Sequence, residues 1–123
     1  FGTVAAGSTP GSVTIDPLGV RTVSGGAQLL TSLPGTAAAF QITGEPNQSY
    51  STLISTTAIL DNGAGTQVTA DNFTQNSSGS IPLSGTETFN VGATINLAPL
   101  QPPGAYSTGT AGGTPYSVTV NYN

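Results

Sequence analysis

Apolar and polar residues alternate in short runs along most of this chain, and turn-forming residues separate the runs. Between Gly11 and Asp16, Val13 and Ile15 take one side while Thr14 and Asp16 take the other. Ala38, Phe40 and Ile42 share a side in the next clear run. Tyr50, Thr52 and Ile54 form another face, and Leu53 pointing the opposite way predicts a strand covered on both sides. Phe89 and Val91 fall together, and Ala93, Ile95 and Leu97 alternate with Thr94 and Asn96. The last run is the most regular. Tyr116, Val118, Val120 and Tyr122 lie on one face, with Ser117, Thr119, Asn121 and Asn123 on the other, the pattern of a half-buried strand. Shorter runs are Val20 to Ser24, Ala27 to Leu30, Ala58 to Leu60 and Gln67 to Phe73.

The intervals carry turn chemistry. Asp16-Pro17-Leu18-Gly19 places Pro second in a turn, and Asn62-Gly63 within Asp61-Asn62-Gly63 tolerates positive φ. Leu33-Pro34-Gly35, Gly44-Glu45-Pro46-Asn47 and Asn76 to Gly79 read as turns or loops. Pro99 to Gly104 is a Pro-rich connection. No long segment has helical periodicity, and Thr, Ser, Gly, Val and Asn are poor helix formers. Roughly nine to eleven short strands are predicted, in one all-β antiparallel sandwich over residues 1–123.

Composition narrows the function. The chain has 17 Gly and 9 Pro, but it also has 36% hydrophobic residues and only 5% charged ones. A disordered linker combines low hydrophobicity with high charge, so the regular alternation here reads as an ordered domain. There is no Cys and no His. Disulfides, thiolate nucleophiles, imidazole bases and the usual zinc ligands are therefore excluded. With one Arg, no Lys and a formal charge of −4, there is no basic patch for nucleic acid or an anionic membrane surface. No apolar run is long enough for a spanning helix.

The five acids, Asp16, Glu45, Asp61, Asp71 and Glu87, show no paired spacing. They read as solvated turn and strand-end residues, and neither a catalytic pair nor a calcium loop is expected. The chain is read as no enzyme, with no catalytic residue, metal or cofactor. Gly109 to Gly113 lacks the Lys of a phosphate loop. Thr86/Thr88 and Thr108/Thr110 are too few for a regular threonine ladder. Three glycosylation sequons begin at Asn47, Asn72 and Asn76. Tyr106, following Gly104 in a loop, is the candidate surface contact.

The opening Phe1-Gly2-Thr3-Val4 and Gly11-Ser12-Val13-Thr14-Ile15 resemble the start of the DUF4402 family of bacterial domains of unknown function. So do Gly19-Val20-Arg21-Thr22 and Ala39-Phe40-Gln41-Ile42-Thr43-Gly44. Gly104-Ala105-Tyr106-Ser107-Thr108-Gly109-Thr110 and the run Tyr116 to Asn123 resemble its end. The resemblance covers nearly the whole chain. That family is similar in pattern to archaic chaperone-usher pilins and spore-coat-U-like domains.

The resemblance implies an immunoglobulin-like, incomplete sandwich, secreted and completed by a donor strand from a neighbouring subunit. Its partners would be copies of itself, with a periplasmic chaperone and an outer-membrane usher during export. Such precursors carry a signal peptide and an alternating apolar segment ahead of the Phe-Gly. The present sequence starts at Phe1, so the donor segment is expected to be cleaved, in another chain or outside this sequence.

Two expectations follow. The first is a structural subunit of an extracellular, cell-surface filament, for which low charge and the absence of Lys on edge strands favour close packing. Val13, Ile15, Tyr116, Val118, Val120 and Tyr122 are its groove candidates. The second is a monomeric secreted binding module that recognises a glycan or surface protein through Tyr106 and the 99–113 loop.

Overall fold

A computed structural model describes residues 1–2, 4–30, 35–109 and 111–123. Leu33 and Pro34 of the expected turn, together with Thr3 and Thr110, lie outside the described residues. The described residues form an all-β antiparallel sandwich with ten strands. These are β1 (Val4–Ala5), β2 (Gly11–Ile15), β3 (Arg21–Gly25), β4 (Gln28–Leu29) and β5 (Ala38–Thr43). They continue as β6 (Tyr50–Ile54), β7 (Thr57–Asp61), β8 (Gln67–Gln75), β9 (Thr86–Leu97) and β10 (Val118–Tyr122).

The main sheet has the order β3-β2-β9-β8-β7, with β5 also paired to β9. Ala38 of β5 pairs with Val91, whereas Ile15 of β2 pairs with Ala93. β8 takes the opposite edge of β9, so β5 and β2 follow one another along the same edge. β9 is a single strand of 12 residues. It runs through Gly92, where the alternation predicts two separate runs. A Cβ on Gly92 would lie 2.1 Å from the Ile15 carbonyl oxygen. A residue with a side chain there would push β2 away from the centre of the sheet.

β8 bulges opposite Ala93, where the register shifts between Asp71 and Thr74 and Asn72 takes a positive φ of 50°. The extra residue turns Phe73 to the same side as Ala70, three positions earlier. Phe73 then meets the ring of Tyr116 at 4.8 Å. Tyr116 also meets Phe40 edge-on at 6.3 Å, and Phe40 stacks on Phe89 at 5.7 Å. These rings join the C-terminal segment to the main sheet.

β6 and β10 pair with each other, Tyr50 opposite Tyr122 and Ile54 opposite Val118. Ahead of β10, Thr114 and Ser107 bridge to Ile59 and Asp61 of β7. A further pair, β1 and β4, links Val4 to Leu29. The inward residues of β2, β8 and β9 form the core, with Phe89, Ile81 and Val13 among its fully buried side chains.

Three expectations fail on burial. Leu53 is 68% exposed, so β6 is covered on one face only. Asp61 is not a solvated turn residue: it is 1% exposed, beside Ser107 and Gly112. Glu87 is also drawn inward, because it lies in register with Phe89 and Val91 on the inner face of β9. The Tyr50 hydroxyl donates to its Oε2 and the Ser78 N–H to its Oε1 at 3.0 Å.

Candidate functional site

An apolar groove made of two adjoining cavities, of about 800 and 230 Å³, lies against the inner face of the main sheet, and the two share Phe1 and Leu60 in their walls. In the larger, Leu60, Val68, Ile95 and Leu97 supply the sheet surface. Phe1, Val4 and Leu30 stand on one side, and the stretch from Gln101 to Tyr106 on the other. Strand alternation alone brings Ile95 and Leu97 to the same face.

Hydrogen bonds fix both walls. Arg21 donates from Nη1 to the Phe1 carbonyl at 3.1 Å and from Nη2 to the Leu30 carbonyl at 3.0 Å. The one cation of the sequence therefore ties together two segments of the same wall. Opposite them, the Tyr106 hydroxyl donates to the Pro102 carbonyl at 2.7 Å and accepts from Gln101 Nε2 at 3.2 Å. Tyr106 is half-buried and packs against the core cluster. Its ring is part of the groove wall, which differs from a side chain standing free in a loop.

The smaller cavity is shaped by small residues. Ala58, Ala70, Gly92 and Ala93 leave room beneath the rings of Phe1, Phe73 and Tyr116. Burial raises the Tyr116 hydroxyl above its ordinary value. Among the described residues, Tyr106 and Tyr116 carry the only titratable side chains that line either cavity. Both surfaces thus recognise shape and apolar area, with hydroxyls at their margins. No group of three or more metal-ligating side chains occurs among the described residues.

The sequence-derived groove candidates divide. Ile15 and Tyr116 line the smaller cavity together, and Val13 is fully buried in the adjoining core. Val118, Val120 and Tyr122 line neither cavity. They lie on one face of β10 in line with Tyr116, where Val118 is half-buried, Val120 is 39% exposed and Tyr122 is 58% exposed. Tyr122 is anchored by its hydroxyl, which accepts the Glu45 N–H at 3.1 Å. β10 is also paired on one backbone edge only among the described residues, with β6.

Most of the groove surface was missed by sequence reasoning. Leu60, Val68, Ile95 and Leu97 read as ordinary strand interior, since alternation identifies a face without saying what lies over it. The 101–106 wall had a usable signal, the consecutive Pro102-Pro103 that holds an extended backbone.

The family model described as Domain of unknown function (DUF4402) matches residues 1–122. No curated protein and no solved structure shows significant similarity to the chain.

Proposed function

From the premise that this chain belongs to the DUF4402 family, we propose that it is a structural subunit of an extracellular bacterial filament, assembled by strand addition between copies. One observation carries the reading: an apolar groove opens beside Tyr116, at the foot of a strand that has one backbone edge paired among the described residues. Such an edge presents alternating N–H and C=O groups to an incoming strand. The same strand can place every second side chain in the groove, where the small residues around Ala70 and Ala93 accept a bulky one. In this reading the donor comes from a neighbouring copy, the immunoglobulin-like sandwich is completed on assembly, and a periplasmic chaperone and outer-membrane usher handle the subunit during export. Low charge fits close packing of many copies, since only 5% of residues are charged.

Native surface material run on an SDS gel, unboiled beside boiled, tests the proposal. A strand-exchanged polymer buries a continuous interface and should give a high-mass ladder that collapses on boiling to the 12.1 kDa chain. The variant Val120→Asp should fold and lose the ladder. A single monomer band in both lanes of the unaltered material would overturn the filament and favour a monomeric module that binds a glycan or surface protein.

A further inference from the structure

The loop joining β7 to β8 turns three backbone N–H groups onto two neighbouring side-chain oxygens, of Asp61 and Asn62. Gly63 N–H donates to Asp61 Oδ1 at 2.7 Å. Asn62 Oδ1, between them in sequence, accepts two backbone N–H groups, from Ala64 at 2.9 Å and Thr66 at 3.1 Å. Gly63 has φ +83°, and nothing lies within 4 Å of the place where its Cβ would be. Asn62 is half-buried and Gly63 is exposed, while the Asp61 carboxylate beside them is buried.

We infer that Asn62-Gly63 is a site of fold-assisted self-modification, in which the Gly63 nitrogen attacks Asn62 Cγ and closes a succinimide. The N–Cγ bond forms as the Cγ–Nδ2 bond breaks. The Gly63 proton passes to Asp61 and on to the departing Nδ2, which leaves as ammonia. Ala64 and Thr66 N–H groups hold the charge that develops on Oδ1, as donors of an oxyanion hole do. Asp61 is the proton acceptor within reach, and the dipeptide supplies its own nucleophile at high effective concentration. Water then opens the ring at either carbonyl to leave aspartate or isoaspartate, with no change in oxidation state.

The product has a local consequence. Asn62 is neutral, and either acid adds a negative charge where its Cβ lies 3.8 Å from the Cβ position of Gly104, in the groove wall. Isoaspartate also lengthens the main chain by a methylene beside the Asn62 N–H to Thr66 carbonyl bond, now 3.0 Å. The inference stands on the loop alone and is independent of the filament reading.

The test compares the full chain, folded at neutral pH, with the same chain unfolded in guanidinium chloride. Peptide mapping by mass spectrometry reads residue 62 as amide, ammonia-depleted imide or acid. The folded chain should react faster, approaching the roughly 100-fold that is the smaller end of what a positioned acid–base group contributes. A folded rate equal to or below the unfolded one overturns the inference, since the two Asx-type bonds would then only restrain the loop. Asp61→Asn should bring the folded rate down to that of the unfolded chain, and a folded variant with an undiminished rate overturns the role of Asp61. Should that variant fail to fold, the folded-to-unfolded ratio of the unaltered chain decides alone.

Discussion

Phe89, Val91, Ala93, Ile95 and Leu97 on β9 alternate no more regularly than Tyr116, Val118, Val120 and Tyr122 on and before β10. All five on β9 are buried. β9 has neighbours on both edges and another layer over its inner face, whereas β10 has β6 on one edge among the described residues. The difference teaches that alternation selects a face and leaves the degree of cover to the topology. A strand whose apolar side is only partly covered retains surface that another chain can take up.

The sharpest break in that comparison is Phe89→Ala. Phe89 is 2% exposed and stacks on Phe40, so the change should cost about 3–5 kcal/mol, read as a lower denaturation midpoint. Glu87→Gln should cost less, about 1–3 kcal/mol, by weakening the contacts that join β6 and the 78–80 loop to β9. Burial by itself would raise the Glu87 carboxyl, but the hydrogen bonds from Ser78 and Tyr50 outweigh it and hold the carboxyl below its ordinary value. The stability from Glu87 is then fully present above the unfolded carboxyl range and is lost as pH falls through the lowered folded value. Denaturation midpoints measured across acid pH should fall in that window for the unaltered chain and show a shallower fall for Glu87→Gln.

Val120→Asp should cost about 1 kcal/mol in monomer stability, the span of strand propensity at an exposed site, while eliminating the unboiled ladder. An equal loss of monomer stability to that of Phe89→Ala would erase the distinction between the two strands. Leu53→Ser, on the solvent side of β6, should move the midpoint by no more than about 0.5 kcal/mol.

Much of the architecture was legible in the residues. Val13 with Ile15, and Ala93 with Ile95 and Leu97, fall on the faces their alternation predicts, and both are buried. The Asp16 turn closes as its chemistry requires, with Gly19 N–H donating to the Asp16 carbonyl at 2.9 Å. Other features depend on contacts far along the chain. Gly92 reads as a break and is instead the point where β2 passes too close for a side chain. Asp61 reads as a hairpin-end acid, and its burial comes with Ser107 and Gly112, far along the chain. The groove belongs to the same class: its two walls come from residues near 1–30 and near 101–106, which no local pattern relates.

The central place of β9 also bears on how the chain acquires its shape. The Thr14 and Thr94 hydroxyls bond at 2.7 Å across 80 positions of sequence. β2, β5 and β8 all precede β9 and all pair with it, so before Thr86 is available none of them has its central neighbour. Closing such distant contacts exacts loop entropy before it yields burial, and domains built this way fold over about milliseconds to seconds. Synthesis from the N-terminus therefore leaves the β9-facing edges of β2, β5 and β8 unpaired through most of the chain's emergence. The interval before β9 arrives is when this sequence is most open to aggregation, and also when it is still loose enough to be threaded elsewhere.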